Sequence, residues 1–390
     1  MRIMSFIIFF SIFFTVYGLI NFYIFIRGWN AIPEGSPVRT AYLIIFLFLA
    51  LAFIGGRFLE RAWLSPLSEA LTWIGSFWLA AMVYFFLAVA FIDILKGINA
   101  VVPFFPSAVV EHRETVGRWL MAGVVVAVSF VIALGHLNAS VPRVRTLPLS
   151  IAKPLAGTHS LTVVSASDIH LGTIIGKERF DHIVERINSL NPDIVLIPGD
   201  LVDEDLAPVI RENLGETLRE IRARYGVYAI TGNHEYIGGA DRACQYMADH
   251  GVTVLRDSVV RVGPGITIVG REDRSIGQFS GRRRKALDEL MARVDSSGPV
   301  ILLDHQPFGL NEGVTYGVDL QISGHTHHGQ LWPLNYVTNA IYEVSRGYVK
   351  RGNTHIYVSS GVGTWGPPVR LGSTPEIMEF RLTFREDTGG

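Results

Sequence analysis

Apolar residues dominate the first 139 positions of the chain and are interrupted by few charged ones. Four stretches contain no Asp, Glu, Lys or Arg, and they lie between Arg2 and Arg27, between Arg39 and Arg57, between Glu69 and Asp93, and between Arg118 and Arg143. A helix needs about 20 apolar residues to cross ~30 Å of hydrocarbon. The pattern therefore predicts a bundle of about four transmembrane helices in residues 1–139.

Two alternatives for these stretches are a signal peptide at the start and buried helices of a soluble protein elsewhere. The first stretch is longer than the roughly 7–15 apolar residues of a signal core, and no small-residue cleavage site is evident. Four such stretches in one block favour membrane helices over core helices. Because the stretches lack charged residues, they also disfavour a carrier or channel, whose pathway usually contains ionisable groups.

From residue 161 onward the pattern changes to short apolar runs separated by amphipathic segments. The runs typical of β-strands are 161–167, 193–199, 226–232, 265–270, 299–305, 318–324 and 354–361. Helical patterns lie between them at 177–190 and 209–225. Strand–helix alternation predicts a layered α/β domain over residues 161–385. The proline-punctuated segment 140–160 is predicted to be a linker.

Charge and cysteine content narrow the possible partners. Eight of the 34 Lys and Arg and six of the 35 Asp and Glu precede residue 140, so the remainder carries a formal net charge of −3. A slightly acidic domain disfavours nucleic acid as a partner, because nucleic-acid binding needs a basic surface. Cys244 is the sole cysteine of the sequence, so no intrachain disulfide is expected.

Polar motifs follow five of the predicted strands at the point where each run ends. The motifs are SDIHLG (167–172), PGDLVD (198–203), GNHEY (232–236), DHQP (304–307) and GHTHHG (324–329). Each motif alone has an ordinary explanation, since GD and GNH occur in turns and a lone surface histidine more often only forms hydrogen bonds. Together they supply carboxylates, an amide and imidazoles, which suit a pair of divalent ions such as Mn, Fe or Zn. A carboxylate can bridge two such ions ~3.5–4 Å apart.

The series DxH, GDxxD, GNH[DE], H and GHxH resembles the calcineurin-like metallophosphoesterase superfamily over residues 161 to about 385. SGHTHHGQLWP (323–333) and GTWGPPVRLG (363–372) resemble the membrane-anchored bacterial branch of that superfamily. The resemblance implies a domain of two packed mixed β-sheets flanked by helices. It also implies that the metal ions lie at the strand ends.

The resemblance further implies a role for nine residues. The first metal ion would be bound by Asp168, His170 and His327, and the second by Asn233, His305 and His325. Asp200 would bridge the two ions. His234 would not bind metal but would stabilise or protonate the leaving oxygen, while Asp203 orients its ring.

The implied activity is that of a membrane-anchored, dinuclear metal-dependent phosphoesterase. It would hydrolyse a phosphomonoester, phosphodiester or pyrophosphate through a hydroxide activated by the metal ions. Because the anchor places the site within reach of a lipid bilayer, a lipid or lipid precursor is an expected substrate, beside small molecules. A non-catalytic membrane-anchored binding module on the same fold is the alternative, and the complete set of ligands argues against it.

The predicted helices make the chain a multi-pass protein of the cell membrane, with both ends of the bundle on one side. That side would carry the basic residues Arg2, Arg57, Arg61, Arg143, Arg145 and Lys153, against Arg27, Arg39, Lys96, Arg113 and Arg118 on the other. Basic residues concentrate on the cytoplasmic side. Six against five favours a cytoplasmic catalytic domain.

The three histidines of SGHTHHGQLWP are not expected to be equivalent. In an extended chain, His325 and His327 point to one face and His328 to the other. His328 is therefore predicted not to bind metal. Residues of the neighbouring loops that could shape a substrate pocket are Trp332, Trp365 and Arg370.

Overall fold

The computed structural model describes residues 2–385, and the chain divides into two compact units, Met1–His136 and Leu137–Gly390. The helices that begin in the first unit are α1 (Arg2–Ala31), α2 (Pro37–Ala62), α3 (Pro66–Val101), α4 (Ser107–Glu111) and α5 (Arg113–Ser140). Within the described residues, α1, α2, α3 and α5 are long and apolar enough to cross a membrane. The prediction of about four apolar N-terminal helices is confirmed.

Serine and proline define where two of the long apolar helices begin. The Ser36 hydroxyl accepts a hydrogen bond from Val38 N at the start of α2, and the Ser65 hydroxyl accepts one from Ser68 N at the start of α3. Each serine is followed by proline at the first helical position. Serine caps the free amide groups, and proline has no amide group to satisfy there. The short polar gaps between the apolar stretches are therefore helix boundaries.

Two six-stranded mixed sheets form the second unit within its described residues. The first has the strand order β1 (Arg143–Pro154), β12 (Glu376–Arg385), β2 (Ser160–Ser165), β3 (Ile194–Pro198), β4 (Val227–Ile230), β5 (Val252–Leu255). The second has the order β10 (Gly347–Arg351), β11 (Thr354–Val358), β9 (Leu320–Ser323), β8 (Val300–Leu303), β7 (Ile266–Gly270), β6 (Ser258–Val262). Strands β2 to β5 run parallel, as do β7, β8, β9 and β11. The predicted two-sheet mixed α/β domain is confirmed.

The sheets pack face to face, and helices cover their outer faces. The helices of this unit are α6 (Lys177–Ser189), α7 (Leu206–Arg211), α8 (Leu214–Arg219), α9 (Asn233–Gly238), α10 (Ala240–Asp249), α11 (Ile276–Phe279), α12 (Leu287–Met291), α13 (Asn311–Thr315) and α14 (Leu334–Ile341). Side chains alternate along each strand. Val163 of β2 thus packs between the sheets with Ile301 and Ile322, while Val164 packs outward with Phe180 of α6.

Residues 140–160 contain a strand where the prolines predicted a linker. Strand β1 pairs in parallel with β12, and Leu149 and Ile151 are buried between the sheets. Pro148 is tolerated because β1 is an edge strand, where a missing amide leaves no partner unsatisfied. This segment is therefore part of the α/β domain.

The helical pattern at 209–225 also differs from the structure. Helix α7 ends at Arg211, and Asn213 adopts a left-handed backbone with φ of 54° before α8 begins. Next to it, a side chain at Gly215 would meet the His250 ring at 2.3 Å. The chain therefore bends at Asn213 and forms two short helices.

Candidate metal centre

The five polar motifs meet at the carboxyl ends of β2, β3, β4, β8 and β9. Because neighbouring strands are parallel within each sheet, their ends lie along one edge, where open α/β sheets place their sites. Site residues with left-handed backbone, φ between 44° and 72°, are Asp168, His170, Asp200, His325 and His327. Such backbone costs about 1–3 kcal/mol per residue and is typical of functional sites.

Asp168, His170 and His327 form the first cluster. The Nε2 atoms of the two histidines are 3.0 Å apart, and His327 Nε2 lies 3.7 Å from Asp168 Oδ1. One ligand atom from each residue lies within 4.8 Å of the others. A single metal ion could contact all three.

Asp200, His305 and His325 form the second cluster, again with ligand atoms within 4.8 Å of one another. His305 Nε2 lies 3.1 Å from Asp200 Oδ2. Asn233 joins them, since its Oδ1 lies 2.7 Å from His325 Nδ1 and 3.3 Å from His305 Nε2. The cluster thus offers an amide oxygen, a carboxylate and two ring nitrogens.

Asp200 lies between the two clusters. Its Oδ2 atom is 3.1 Å from His305 Nε2 and 3.9 Å from His170 Nε2. Its other oxygen, Oδ1, accepts a hydrogen bond from His234 N at 2.9 Å. The carboxylate is thereby held with one oxygen facing both clusters.

A third group consists of His170, Asp203 and His234. Asp203 Oδ1 lies 3.0 Å from His234 Nδ1 and 3.5 Å from His170 Nδ1. The rings of His170 and His234 are perpendicular, with centroids 4.6 Å apart. The structure therefore brings all nine predicted site residues together where strands of both sheets end.

Electrostatics separate the histidines into two kinds. Burial disfavours charge on His305 and His234, but the Asp200 carboxylate outweighs it. The pKa of His305 is raised well above its ordinary value, and the pKa of His234 is raised to about 9 with the help of Asp203. Conversely, burial would raise the pKa of Asp200, but His305, His234 and His170 hold it well below its usual range.

The surroundings of His325 and His327 favour the neutral form of both rings. Burial, and then the neighbouring His305, lower the pKa of His325 to about 4. Burial, and then Arg370 and His170, hold the pKa of His327 well below its ordinary value. A neutral imidazole has a free lone pair and is the form that binds metal ions.

Glu235 fixes the backbone around the site. Its carboxylate accepts hydrogen bonds from Asp200 N at 3.1 Å, Gly232 N at 2.7 Å and Val202 N at 2.9 Å. Burial and the nearby Asp200 raise the pKa of Glu235 to about 7. The side chain therefore ties the β3 loop to the start of α9.

Glycine allows the loops to approach one another. A side chain at Gly232 would meet Asp200 Oδ1 at 2.1 Å and Asp200 N at 2.6 Å. At Gly324 it would meet Asp168 Oδ2 at 2.2 Å. Gly232 directly precedes Asn233, and Gly324 directly precedes His325. The close contact of each glycine with an aspartate therefore also fixes the position of the ligand that follows it.

Arg370 is fully buried beside the first cluster and does not line a substrate pocket as its sequence position suggested. Its guanidinium donates to Ser360 O at 2.7 Å and to Gly363 O at 2.6 Å. Its Nη2 atom lies 3.0 Å from His327 Nδ1. No sequence pattern indicated this contact, because 43 residues separate the two side chains in the chain.

The donor set fits divalent ions. Nitrogen and oxygen ligands without a thiolate suit Mn, Fe or Zn, and a cation could replace the proton shared between the Nε2 atoms of His170 and His327. The hydrogen bond between Arg370 and His327 opposes metal binding by that histidine. A ring that binds metal through Nε2 carries its proton on Nδ1, where Arg370 also donates. Metal binding by His327 therefore requires that this hydrogen bond break.

His328 lies apart from the clusters. The alternation of side chains along an extended strand, which led to that prediction, is not the reason. Strand β9 ends at Ser323, and His327–Gly329 form a 3₁₀ turn in which His328 has φ of 49°. Its Nδ1 atom lies 2.9 Å from Ser345 Oγ. The turn, rather than strand alternation, sends His325 and His327 into different clusters.

Comparison with known proteins shows what the chain is similar to. Residues 161–329 match the family model "Calcineurin-like phosphoesterase". The chain is 34% identical over 249 residues to an "Uncharacterized metallophosphoesterase" of Aquifex aeolicus, which covers 63% of this chain and 94% of that protein. A Helicobacter pylori protein of the same name is 33% identical over 247 residues, covering 62% of this chain and 64% of that protein.

A bovine relative (Bos taurus) carries the name "Transmembrane protein with metallophosphoesterase domain". It is 32% identical over 265 residues, covering 64% of this chain and 59% of that protein. The chain thus spans less than two thirds of the length of the Helicobacter and bovine proteins.

Proposed function

Because the chain belongs to the calcineurin-like phosphoesterase family and is a metal-dependent phosphoesterase, we propose that it hydrolyses a phosphoester of a membrane lipid or lipid precursor with two metal ions. The position of Asp200 is the observation that best supports a site for two metal ions. Its Oδ2 atom faces His305 of one ligand cluster and His170 of the other.

The clusters define the metal ligands of this proposal. One ion would be held by Asp168, His170 and His327, the other by Asn233, His305 and His325, with Asp200 contacting both. When bound, the ions would supply the positive charge that activates water and offsets charge on the phosphoryl oxygens. Manganese, iron and zinc are the candidates.

His234 and Asp203 would act on the leaving group. Asp203 contacts Nδ1 of His234, which fixes the orientation of the ring and leaves Nε2 to donate a proton. The Asp203 carboxylate also favours the protonated form of the His234 ring. His234 would therefore deliver a proton to the oxygen that departs from phosphorus.

The substrate class follows from the anchor. The four apolar helices and the bovine transmembrane relative indicate a multi-pass membrane protein. A phosphoesterase held at a bilayer meets lipid phosphomonoesters, phosphodiesters and pyrophosphates at high local concentration. A membrane lipid or its precursor is therefore favoured over a freely soluble ester.

Hydrolysis of bis-p-nitrophenyl phosphate by the purified full chain tests the site. We expect turnover with manganese, and loss of both turnover and bound metal in Asp200→Ala and Asn233→Ala. His234→Ala should lose turnover but keep its metal. The exposed His182 offers a matched control, since His182→Ala should change neither turnover nor bound metal. Full turnover by Asp200→Ala would overturn the metal assignment, and metal loss in His234→Ala would overturn the role of that ring.

We further place the catalytic domain in the cytoplasm, at the cell membrane. The six basic residues flanking the bundle on the domain's side exceed the five on the other. Green fluorescent protein fused after Gly390 should fluoresce in cells, because it folds in the cytoplasm and not after export by the general secretory route. A dark fusion protein at normal abundance would reverse the orientation.

A further inference from the structure

Helix α14 exposes an apolar stripe directly after the turn that carries His325 and His327. Leu334, Val337 and Ile341 are three and four residues apart, so they share one face of the helix. They are between 42% and 56% exposed, and none of the eight residues of α14 is buried. Helices of soluble domains normally turn such a stripe inward.

The polar side of α14 faces the domain instead. Asn335 is half-buried, and the helix start packs on Gly329, where a side chain would meet Asn335 N at 2.5 Å. Asn339 is exposed but accepts a hydrogen bond from the Ser345 hydroxyl, and Ser345 also contacts His328. Compared with a helix that packs on a core, α14 therefore has its two faces reversed, with the apolar face exposed and the polar face toward the domain.

Exposed aromatic residues extend this apolar face toward the metal clusters. Trp332, Tyr336 and Trp365 are each about half or more exposed. The Trp365 ring lies 5.7 Å from the His234 ring, measured between centroids. Tryptophan and tyrosine are the side chains that concentrate where hydrocarbon meets water.

The surrounding segment is basic, although the domain as a whole is acidic. Residues 330–351 contain Arg346, Lys350 and Arg351, and Arg351 pairs with the one acidic residue of the segment, Glu343, so Arg346 and Lys350 give the segment its excess positive charge. Basic residues beside an amphipathic helix attract the anionic head groups of lipids. The segment is therefore complementary in charge, as well as in polarity, to an anionic bilayer surface.

We infer that α14, with Trp332 and Trp365, lies in the surface of the lipid bilayer and presents the strand-end site to phosphoesters held there. A bilayer is the occupant that fits, because the same chain carries four helices able to span one. In the chain, only two residues separate α5 from β1, so the connection between the last apolar helix and the domain is short. The binding of α14 to lipid does not depend on the proposed function, whereas the contribution of that binding to catalysis rests on it.

The test places a fluorescent probe on α14 in the full chain, reconstituted in nanodiscs of phosphatidylcholine and phosphatidylglycerol. In a Cys244→Ala background, Val337→Cys is labelled with a nitrobenzoxadiazole probe. Ile210→Cys on α7 is the matched control, since Ile210 is 52% and Val337 is 53% exposed. Nitroxide lipids, with the nitroxide near the head group, then serve as quenchers.

We expect a blue shift and loss of emission at position 337, and water-like, unquenched emission at position 210. Equal quenching at both positions would overturn the inference. So would a blue shift at 337 that nitroxide lipids do not quench, because protein, such as a second copy of the chain, would then cover α14. Hydrolysis of bis-p-nitrophenyl phosphate by unlabelled wild-type protein is measured separately, so that a failed activity is distinguished from a failed lipid contact.

Discussion

Asp203 Oδ1 lies 3.0 Å from Nδ1 of His234, on the side of the ring away from its Nε2 atom. The same oxygen lies 3.5 Å from Nδ1 of His170. One carboxylate thus contacts both a ring of the first ligand cluster and the ring proposed to protonate the leaving group. Its charge should determine the pH range in which His234 keeps its proton.

Substitution Asp203→Asn should move the alkaline limit of activity to lower pH. The carboxylate raises the pKa of His234, so its removal lowers that pKa, and the protonated ring disappears at lower pH. We expect the fall in kcat/KM at high pH to shift down by about one pH unit. The measurement is a pH–rate profile with bis-p-nitrophenyl phosphate.

Asp205→Asn provides the control for this profile. Asp205 caps α7 by accepting a hydrogen bond from Ala207 N, and asparagine caps equally well. Its profile should match the wild type. An unchanged profile in Asp203→Asn would exclude His234 as the group that sets the alkaline limit.

Substitution Gly232→Ala should disrupt metal binding. The added methyl group would lie 2.1 Å from Asp200 Oδ1 and 2.6 Å from Asp200 N, so the central carboxylate must move. Displaced ligand support typically costs about 10–100-fold in metal affinity. Metal titration and turnover measure the effect. Gly277→Ala in α11 is the control, because its nearest atom is 3.7 Å away and both properties should stay unchanged.

Substitution Glu235→Ala should destabilise the domain. Three buried amide groups, of Asp200, Val202 and Gly232, would lose their acceptor. Each buried amide without an acceptor costs ~1–3 kcal/mol as long as no water replaces the lost carboxylate. We therefore expect the free energy of unfolding to fall by at least about 3 kcal/mol. Thermal unfolding in detergent, followed by near-ultraviolet circular dichroism, measures it. Glu185→Ala, at an exposed position of α6, should unfold like wild type.

Cys244 should resist alkylation in the folded protein. Burial raises the pKa of its thiol from 9.0 to about 12. Since the thiolate is the reactive form, iodoacetamide at pH 8 should react roughly 1000-fold more slowly than with the unfolded chain. Mass spectrometry of labelled protein with and without denaturant gives both rates. Rapid labelling without denaturant would show that α10 opens readily.

The inner strands of both sheets were predictable because they are buried on both faces. Strands β3 and β8 consist entirely of buried residues and read as continuous apolar runs. Strand β12 was missed, since EIMEFRLTFR mixes charged and apolar residues. Its charged groups have partners that only the fold supplies: Glu376 contacts Arg145, and Glu379 accepts from Thr146 of β1.

The grouping of the nine site residues was predictable because each motif follows a strand, and parallel strands end at one edge. The supporting contacts were not predictable. Arg370 meets His327 across 43 residues, and Glu235 acts on backbone amides that have no sequence signature. The position of His328 has a different cause from the one predicted, because the chain turns after Ser323, and strand alternation cannot reveal such a turn.

The position of β12 also sets the order in which this protein can be made. It is the last strand of the described chain, yet it lies between β1 and β2 in the first sheet. The sheet remains divided until the ribosome has released this segment. The apolar helices precede β12 in the chain and leave the ribosome before it, so the first sheet can close only after all four of them have been made.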